Sequence, residues 1–307
     1  MRTRWPSFVL IGVVGLGLLE LGLQFHFARA APRPEAWKQI RSAVQRLVQG
    51  NTLIVVAPRW AEPNARFALG DELMPLRHLA RADDSGFATA LEISIFGQSA
   101  SELRSWQLES SEREGPFLLR RWKNTSFEPT LYDFIEHAEP ANLSVELVQG
   151  ETHLPCPYGK AKVTNGDLQG HPTFPSRRFQ CPGGEWQFVG STVVEDQNYL
   201  PRQCLWAHPP QHGELVLRFL DVPVGAKLRG YGGMSYYEER EQHGGLIQLQ
   251  VSVGTEPLGE YRHADGEGWK GFEFPTERWK GQRLPVEFRV RAGRAWDRTF
   301  CLQAEVR

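Results

Sequence analysis

The sequence predicts an α+β multidomain chain: an apolar amino-terminal transmembrane helix, a small α/β domain and a carboxy-terminal antiparallel β-sandwich. Three observations carry this. An apolar run fills residues 5–25, a helix-period stretch followed by a continuous β-rich run opens the next segment, and from Leu143 onward apolar and polar residues alternate with period two. The expected boundaries are 1–31 for the anchor or signal segment, 32–140 for the α/β domain, 141–183 for a cysteine-containing connector and 184–307 for the sandwich. With 10 Trp, 17 Phe and 7 Tyr in 307 residues, the chain has the apolar bulk for real cores. Charge is balanced along it: residues 32–150 carry 13 Lys/Arg against 16 Asp/Glu, and residues 151–307 carry 19 of each. No strongly basic face is implied, which argues against nucleic-acid binding driven by phosphate neutralisation.

Residues 5–25 (WPSFVLIGVVGLGLLELGLQF) are an almost unbroken apolar run with Glu20 as the one charge, and as a helix they reach about 30 Å, the thickness of a bilayer's hydrocarbon core. Arg2 and Arg4 before the run favour an inside amino terminus with the bulk of the chain extracytoplasmic. The alternative is a cleaved signal peptide, since Ala28-Arg29-Ala30 followed by Ala31 satisfies the small-x-small rule. Either reading exports residues 32–307. Cysteine usage agrees: Cys156, Cys181, Cys204 and Cys301 form no C-x-x-C pair, and an even count in an exported domain points to two disulfides. Of the three pairings, Cys156–Cys181 closes a short Pro- and Gly-rich loop and Cys204–Cys301 ties the opening of the last domain to its final strand; these are favoured.

Residues 35–49 read as an amphipathic helix with Trp37, Ile40, Val44, Leu47 and Val48 on one face. Residues 52–57 (TLIVVA) form a buried strand, 59–75 an irregular loop and 76–80 a helical turn; 89–96, 105–108 and 116–122 are further strands, the last two around a turn at Glu114-Gly115. Residues 124–140 read as a connector. In the sandwich, Leu215, Leu217 and Phe219 share one face, as do Ile247, Leu249, Val251 and Val253, then Val286, Phe288 and Val290, then Phe300, Leu302, Ala304 and Val306.

Two resemblances follow from these segments. Residues 49–68 (QGNTLIVVAPRWAEPNARFA), with a helix before them, resemble the extracytoplasmic domain attached to GT-C-type membrane glycosyltransferases. The catalytic acids of that class lie in a polytopic membrane part that this chain lacks, so no transferase site carries over. Residues 184–307 are similar to galactose-binding-like jelly rolls through the segment 244–291, where His263-Ala-Asp-Gly-Glu-Gly-Trp269 lies between strands. The resemblance implies a jelly-roll-like sandwich.

Candidate chemistry is sparse. His208 and His212 flank Pro209-Pro210, which forbids a helix, so their spacing does not make a metal pair and they read as exposed loop histidines. Glu238, Glu239 and Glu241 beside Tyr236-Tyr237 read as a solvated acidic, aromatic loop. The loop of Asp265, Glu267 and Trp269 reads either as a ligand contact, with a structural calcium ion as the one cofactor it admits, or as a loop whose Trp269 plugs the core at the sandwich end. No G-x-S-x-G elbow occurs, and Gly230-Tyr-Gly-Gly233 lacks the lysine of a phosphate loop. Arg59, Trp60, Glu62, Arg66 and Asp71 crowd polar groups after a buried strand, where α/β folds bind ligands, but they read as an ion-paired loop that needs none.

The reading that follows is a non-catalytic, membrane-anchored protein of the cell envelope that binds carbohydrate or a protein partner. Tyr236, Tyr237 and Trp269 would form a stacking platform if their loops share one end of the sandwich, with Arg240 and Asp265 bonding to hydroxyls. The alternative is an envelope glycan-metabolising enzyme with its site between the two domains. No catalytic residue and no metal ligand is assigned.

Overall fold

The computed structural model describes residues 5–162, 174–241, 244–295 and 298–307, and divides into two compact units: residues up to 74 with 89–125, and residues 75–88 with 126–307. Each is built on its own logic.

The first unit opens with helix α1 (Trp5–Ala30), whose described side chains, residues 9–25, are all exposed. Among the described residues no helix is long and apolar enough to cross a membrane. The expected transmembrane helix is therefore not supported, and Arg2 and Arg4, which oriented it, lie outside the described residues.

The expected single helix over 35–49 is two, α2 (Pro34–Gln39) and α3 (Arg41–Leu47), broken at Ile40. Their buried face is the one expected: Trp37, Ile40 and Val44 are all in the core, and the Trp37 ring meets Phe117 edge-on at 4.6 Å. Strand β1 (Thr52–Ala57) is buried along its whole length. The segment 59–75, expected as a loop, carries helix α4 (Glu62–Leu69). Pro63 in its first turn, Glu62 beside the amino-terminal dipole and Gly70 after its end are ordinary helix signals. Its buried contacts, Ala65 and Leu69, are too few to give a visible apolar period. Strand β2 (Thr89–Ser94) runs parallel to β1, β3 (Gln107–Glu114) and β4 (Phe117–Lys123) form a hairpin, and the sheet order is β1-β2-β4-β3.

The second unit contributes, in chain order, α5 (Leu76–Leu79), β5 (Tyr132–Asp133), β6 (Leu143–Gln149), β7 (Thr152–Pro155), β8 (Tyr158–Lys160), β9 (Arg177–Gln180), β10 (Phe188–Glu195), β11 (Pro201–Ala207), β12 (Glu214–Pro223), β13 (Lys227–Gly233), α6 (Tyr236–Glu241), β14 (Ile247–Val253), β15 (Glu256–His263), β16 (Lys270–Pro275), β17 (Arg283–Ala292) and β18 (Cys301–Val306). One sheet runs β16-β13-β18-β11-β10-β9-β8 with β5 added beside β18; the other runs β15-β14-β17-β12-β6-β7. All the described ladders of both are antiparallel. The four alternating sets read from the sequence are the core, each residue at most 1% exposed. Register aligns them: Leu217 pairs with Phe288, which pairs with Val251. Apolar faces stack only in that register, because a slip of one residue would turn each set to solvent.

The stretch 141–183, read as a connector, supplies four strands to both sheets. Both disulfides are those favoured from the sequence. Cys156–Cys181 joins the end of β7 to the end of β9, one strand from each sheet, and Cys204–Cys301 joins the hydrogen-bonded neighbours β11 and β18.

Two titratable groups in this unit give opposite pH dependences. Burial, with Glu136 and Glu305 nearby, pushes the Asp133 carboxyl up to about 6 against the pull of the Ile135 and Glu136 amides. His208 corrects the expectation of an exposed loop histidine: it is half-buried, stacked on Trp206, and burial pushes it down to about 4. Asp133 contributes stability that is present below its unfolded value near 3.8 and lost as pH rises through 6. His208 contributes stability that is present above 6.5 and lost as pH falls toward 4. Asp133→Asn, which keeps the acceptor oxygen, should therefore raise stability at pH 7 by about 1–2 kcal/mol and leave it unchanged at pH 3. Urea unfolding of the variant at both pH values checks this; a loss of stability at pH 7 would contradict it.

Candidate functional site

Residues 236–241, expected as a solvated loop, form the short helix α6, and two of its three glutamates are buried. Ser235 and Glu238 stand at the S-x-x-E spacing of a capped helix start and their side chains are hydrogen-bonded. That spacing was available in the sequence.

Glu239 is the key residue of this end of the sandwich. Its side chain is fully buried, and Oε1 lies 2.6 Å from His263 Nε2 and accepts from the Met234 amide at 3.2 Å. Oε2 accepts the Gly266 and Gly268 amides at 2.8 and 3.4 Å. On the far side of the imidazole, His263 Nδ1 is 3.0 Å from the Tyr261 hydroxyl, which donates its hydrogen to the Gly232 carbonyl at 2.9 Å. The proton between Tyr261 and His263 therefore comes from Nδ1. A charge run that reads as a solvated face thus conceals a buried carboxylate, linking α6 to the loop 264–269.

The two sequence-predicted segments accordingly share one end of the sandwich. Their residues differ in availability. Asp265 is held bidentately by Arg298, a fully buried guanidinium, with Nη2 to Oδ2 at 3.2 Å. Glu267 accepts from the Ala264 amide at 2.9 Å and from Lys270 at 2.6 Å. Both carboxylates of the calcium reading are thereby engaged, and among the described residues no group of three or more His, Cys, Asp or Glu is placed to hold a metal ion. Trp269 is half-buried; its indole packs against the cluster of Phe174, Phe188, Trp206 and the Cys204–Cys301 bridge. Tyr236 and Tyr237 are half-buried and Arg240 is exposed.

An aromatic not singled out from the sequence completes the surface. Tyr199 is 57% exposed at the tip of the β10–β11 hairpin, with φ +57°, a conformation disfavoured for a bulky residue. Asp196 builds the turn that holds it: the buried carboxylate accepts the Asn198 and Leu200 amides at 2.8 and 3.1 Å and pairs with Arg202 at 2.8 Å. The Tyr199 ring lies 5.2 Å from Tyr236, and Arg240 donates to the Tyr199 hydroxyl at 3.1 Å. The same turn meets the other loop, since a Cβ on Gly268 would lie 3.2 Å from Gln197 Oε1. The available aromatic surface is thus Tyr199 with Tyr236, rimmed by Arg240. The sequence signal was the Asp196-Gln-Asn-Tyr199 turn between two strands.

The remaining motifs resolve into structure. Gly230 lies in β13, where a Cβ would meet the Phe272 ring at 2.3 Å, so its glycine serves sheet packing. Glu214 pairs with Arg289 and Arg291 while His212 is exposed. Arg66 pairs with Asp71 at 3.0 Å.

No protein-family model matches the chain, and no curated protein matches it in sequence. Solved structures show distant likeness. The CBM51-2 and INT domains of ZmpB from Clostridium perfringens, solved with GlcNAc, align at 9% identity and TM-score 0.30, over 66% of this chain and 40% of that one. A cleaved adhesin domain of Lys-gingipain from Porphyromonas gingivalis aligns at 11% and 0.27, over 56% and 92%. The tandem CBM22 modules of Paenibacillus barcinonensis Xyn10C align at 11% and 0.24, over 62% and 55%. At these scores the likeness carries no argument about a ligand. The resemblance of residues 49–68 to domains of membrane glycosyltransferases finds no support in these matches.

Proposed function

We propose that the second unit is a non-catalytic carbohydrate-binding module of an exported protein, with the sugar stacked on Tyr199 and Tyr236 and its hydroxyls bonded by Arg240. The observation that carries this is Tyr199, an aromatic ring held in solvent at positive φ by a turn built for the purpose. Two disulfides fit an extracellular or secreted domain. Binding is favoured over hydrolysis because the nearby carboxylates are engaged within the protein: Glu238 by Ser235, Glu239 by His263, Asp265 by Arg298. A glycosidase needs two such groups facing a sugar. Trp269 and Asp265 support the loop beneath the platform. Helix α1, whose side chains from Val9 to Phe25 are exposed, is read as a lipid-contacting element at the cell envelope.

A glycan array probed with the intact protein should identify a retained sugar. Tyr199→Ala should then weaken that retention about tenfold or more, a loss of about 1.4 kcal/mol, and leave the melting temperature within a few degrees. Retention equal to the wild type for both Tyr199→Ala and Tyr236→Ala would overturn the proposal.

A further inference from the structure

The first unit carries a surface that the carbohydrate reading does not use. At the carboxyl ends of the parallel strands β1 and β2, a cavity of about 300 Å³ is lined by Pro32, Phe96, Gly97, Arg113, Pro116 and Leu118 among others. The Phe96 ring is 37% exposed and lies 6.3 Å from Trp60, itself 61% exposed. Phe96 stands at φ +55°, and the loop around it is tightly tied. Buried Glu92 accepts the Ala100 amide at 2.6 Å, while Ser94 Oγ and Arg120 both donate to the Gln98 carbonyl, at 2.5 and 3.0 Å. A fold that holds a phenylalanine outward against its backbone preference gains nothing from water there. The Arg113 side chain is exposed and makes no hydrogen bond or ion pair among the described residues, so the cavity has a cation available for an anion.

Pro32 decides what the occupant is. It lines the cavity and lies two residues beyond the end of α1, the helix with exposed apolar side chains. A surface joined so closely to a lipid-contacting helix lies at the headgroup level of the same bilayer. We infer that Trp60 and Phe96 enter the lipid–water interface and that Arg113 receives the phosphate of an anionic phospholipid headgroup. An amphipathic indole and a guanidinium are the side chains suited to that layer. The inference rests on the reading of α1 as lipid-contacting.

The test uses the full chain in vesicles of phosphatidylcholine with and without phosphatidylglycerol, carrying brominated lipids as short-range quenchers. Comparing wild type with Trp60→Phe isolates the emission of Trp60, and Trp5→Phe isolates a reporter on α1. Quenching of Trp60 that strengthens with phosphatidylglycerol is expected, and Arg113→Gln should weaken that lipid dependence about fivefold. Quenching of Trp5 without quenching of Trp60 overturns the inference and leaves the reading of α1 intact. Absence of both overturns the two together. Emission of Trp60 that ignores lipid and responds to soluble glucuronate overturns it in favour of a sugar site.

Discussion

Glu239→Ala is expected to lower the stability of the second unit by about 3–5 kcal/mol, because it orphans several buried donors, each costing about 1–3 kcal/mol before relaxation. The substitution leaves His263 fully buried without its carboxylate and strips the acceptor from the amides of Met234, Gly266 and Gly268. Orphaned buried donors cost more than the net worth of the bonds they made. The effect extends to binding, because α6 carries Tyr236 and Arg240, and Glu239 is what fastens α6 to the loop 264–269. Thermal unfolding should shift down by about 10 °C or more for a unit of this size. Glu239→Gln keeps an acceptor for His263 and presents its amide hydrogens to the glycine amides, so it should fall between alanine and wild type. An alanine variant that melts with the wild type would show that the buried network is dispensable.

The second large effect concerns Cys204–Cys301. The residues are separated by 97 positions, against 25 for Cys156–Cys181. On the chain-entropy account, closing the longer loop is worth about 4.7 kcal/mol and the shorter about 3.5 kcal/mol. Both sulfurs of the longer bridge also lie in the cluster with Phe188 and Trp206, so Cys204→Ala with Cys301→Ala leaves a void as well as a longer unfolded chain. Denaturant unfolding of the two double variants should rank the Cys204/Cys301 pair as the more damaging. The reverse ranking would show that native contacts, not loop closure, set the contribution of each bridge. Mass mapping under non-reducing conditions should recover both cross-links.

What could be read in advance follows from which interactions are local. Leu215, Leu217 and Phe219, or Ile247 through Val253, declare a half-buried strand because alternate side chains must face opposite ways, whatever they pack against. The same reasoning fails for α4, where small buried residues leave no apolar stripe, and for the stretch from β6 to residue 183, where Pro, Gly and Cys break the alternation that begins at Leu143 into the three short strands β7, β8 and β9. It fails more instructively at residues 75–88, which leave the first unit to join the second. There the Ala80 carbonyl accepts the Gln203 amide, and Arg229 bonds Asp83 and Ser85, partners more than a hundred positions away.

The sequence alone placed the strand faces of the sandwich and a cysteine set with two sensible bridges. These depend on periodicity and composition, which need no knowledge of neighbours. Only the tertiary structure decided which polar residues are free to meet a ligand. Asp265 is taken by Arg298, Glu239 by His263, and Trp269 by the cluster beneath it, while Tyr199 is left in solvent by Asp196. Charge and aromaticity look the same in a sequence whether the group is satisfied or available, because availability is fixed by partners brought together from distant segments.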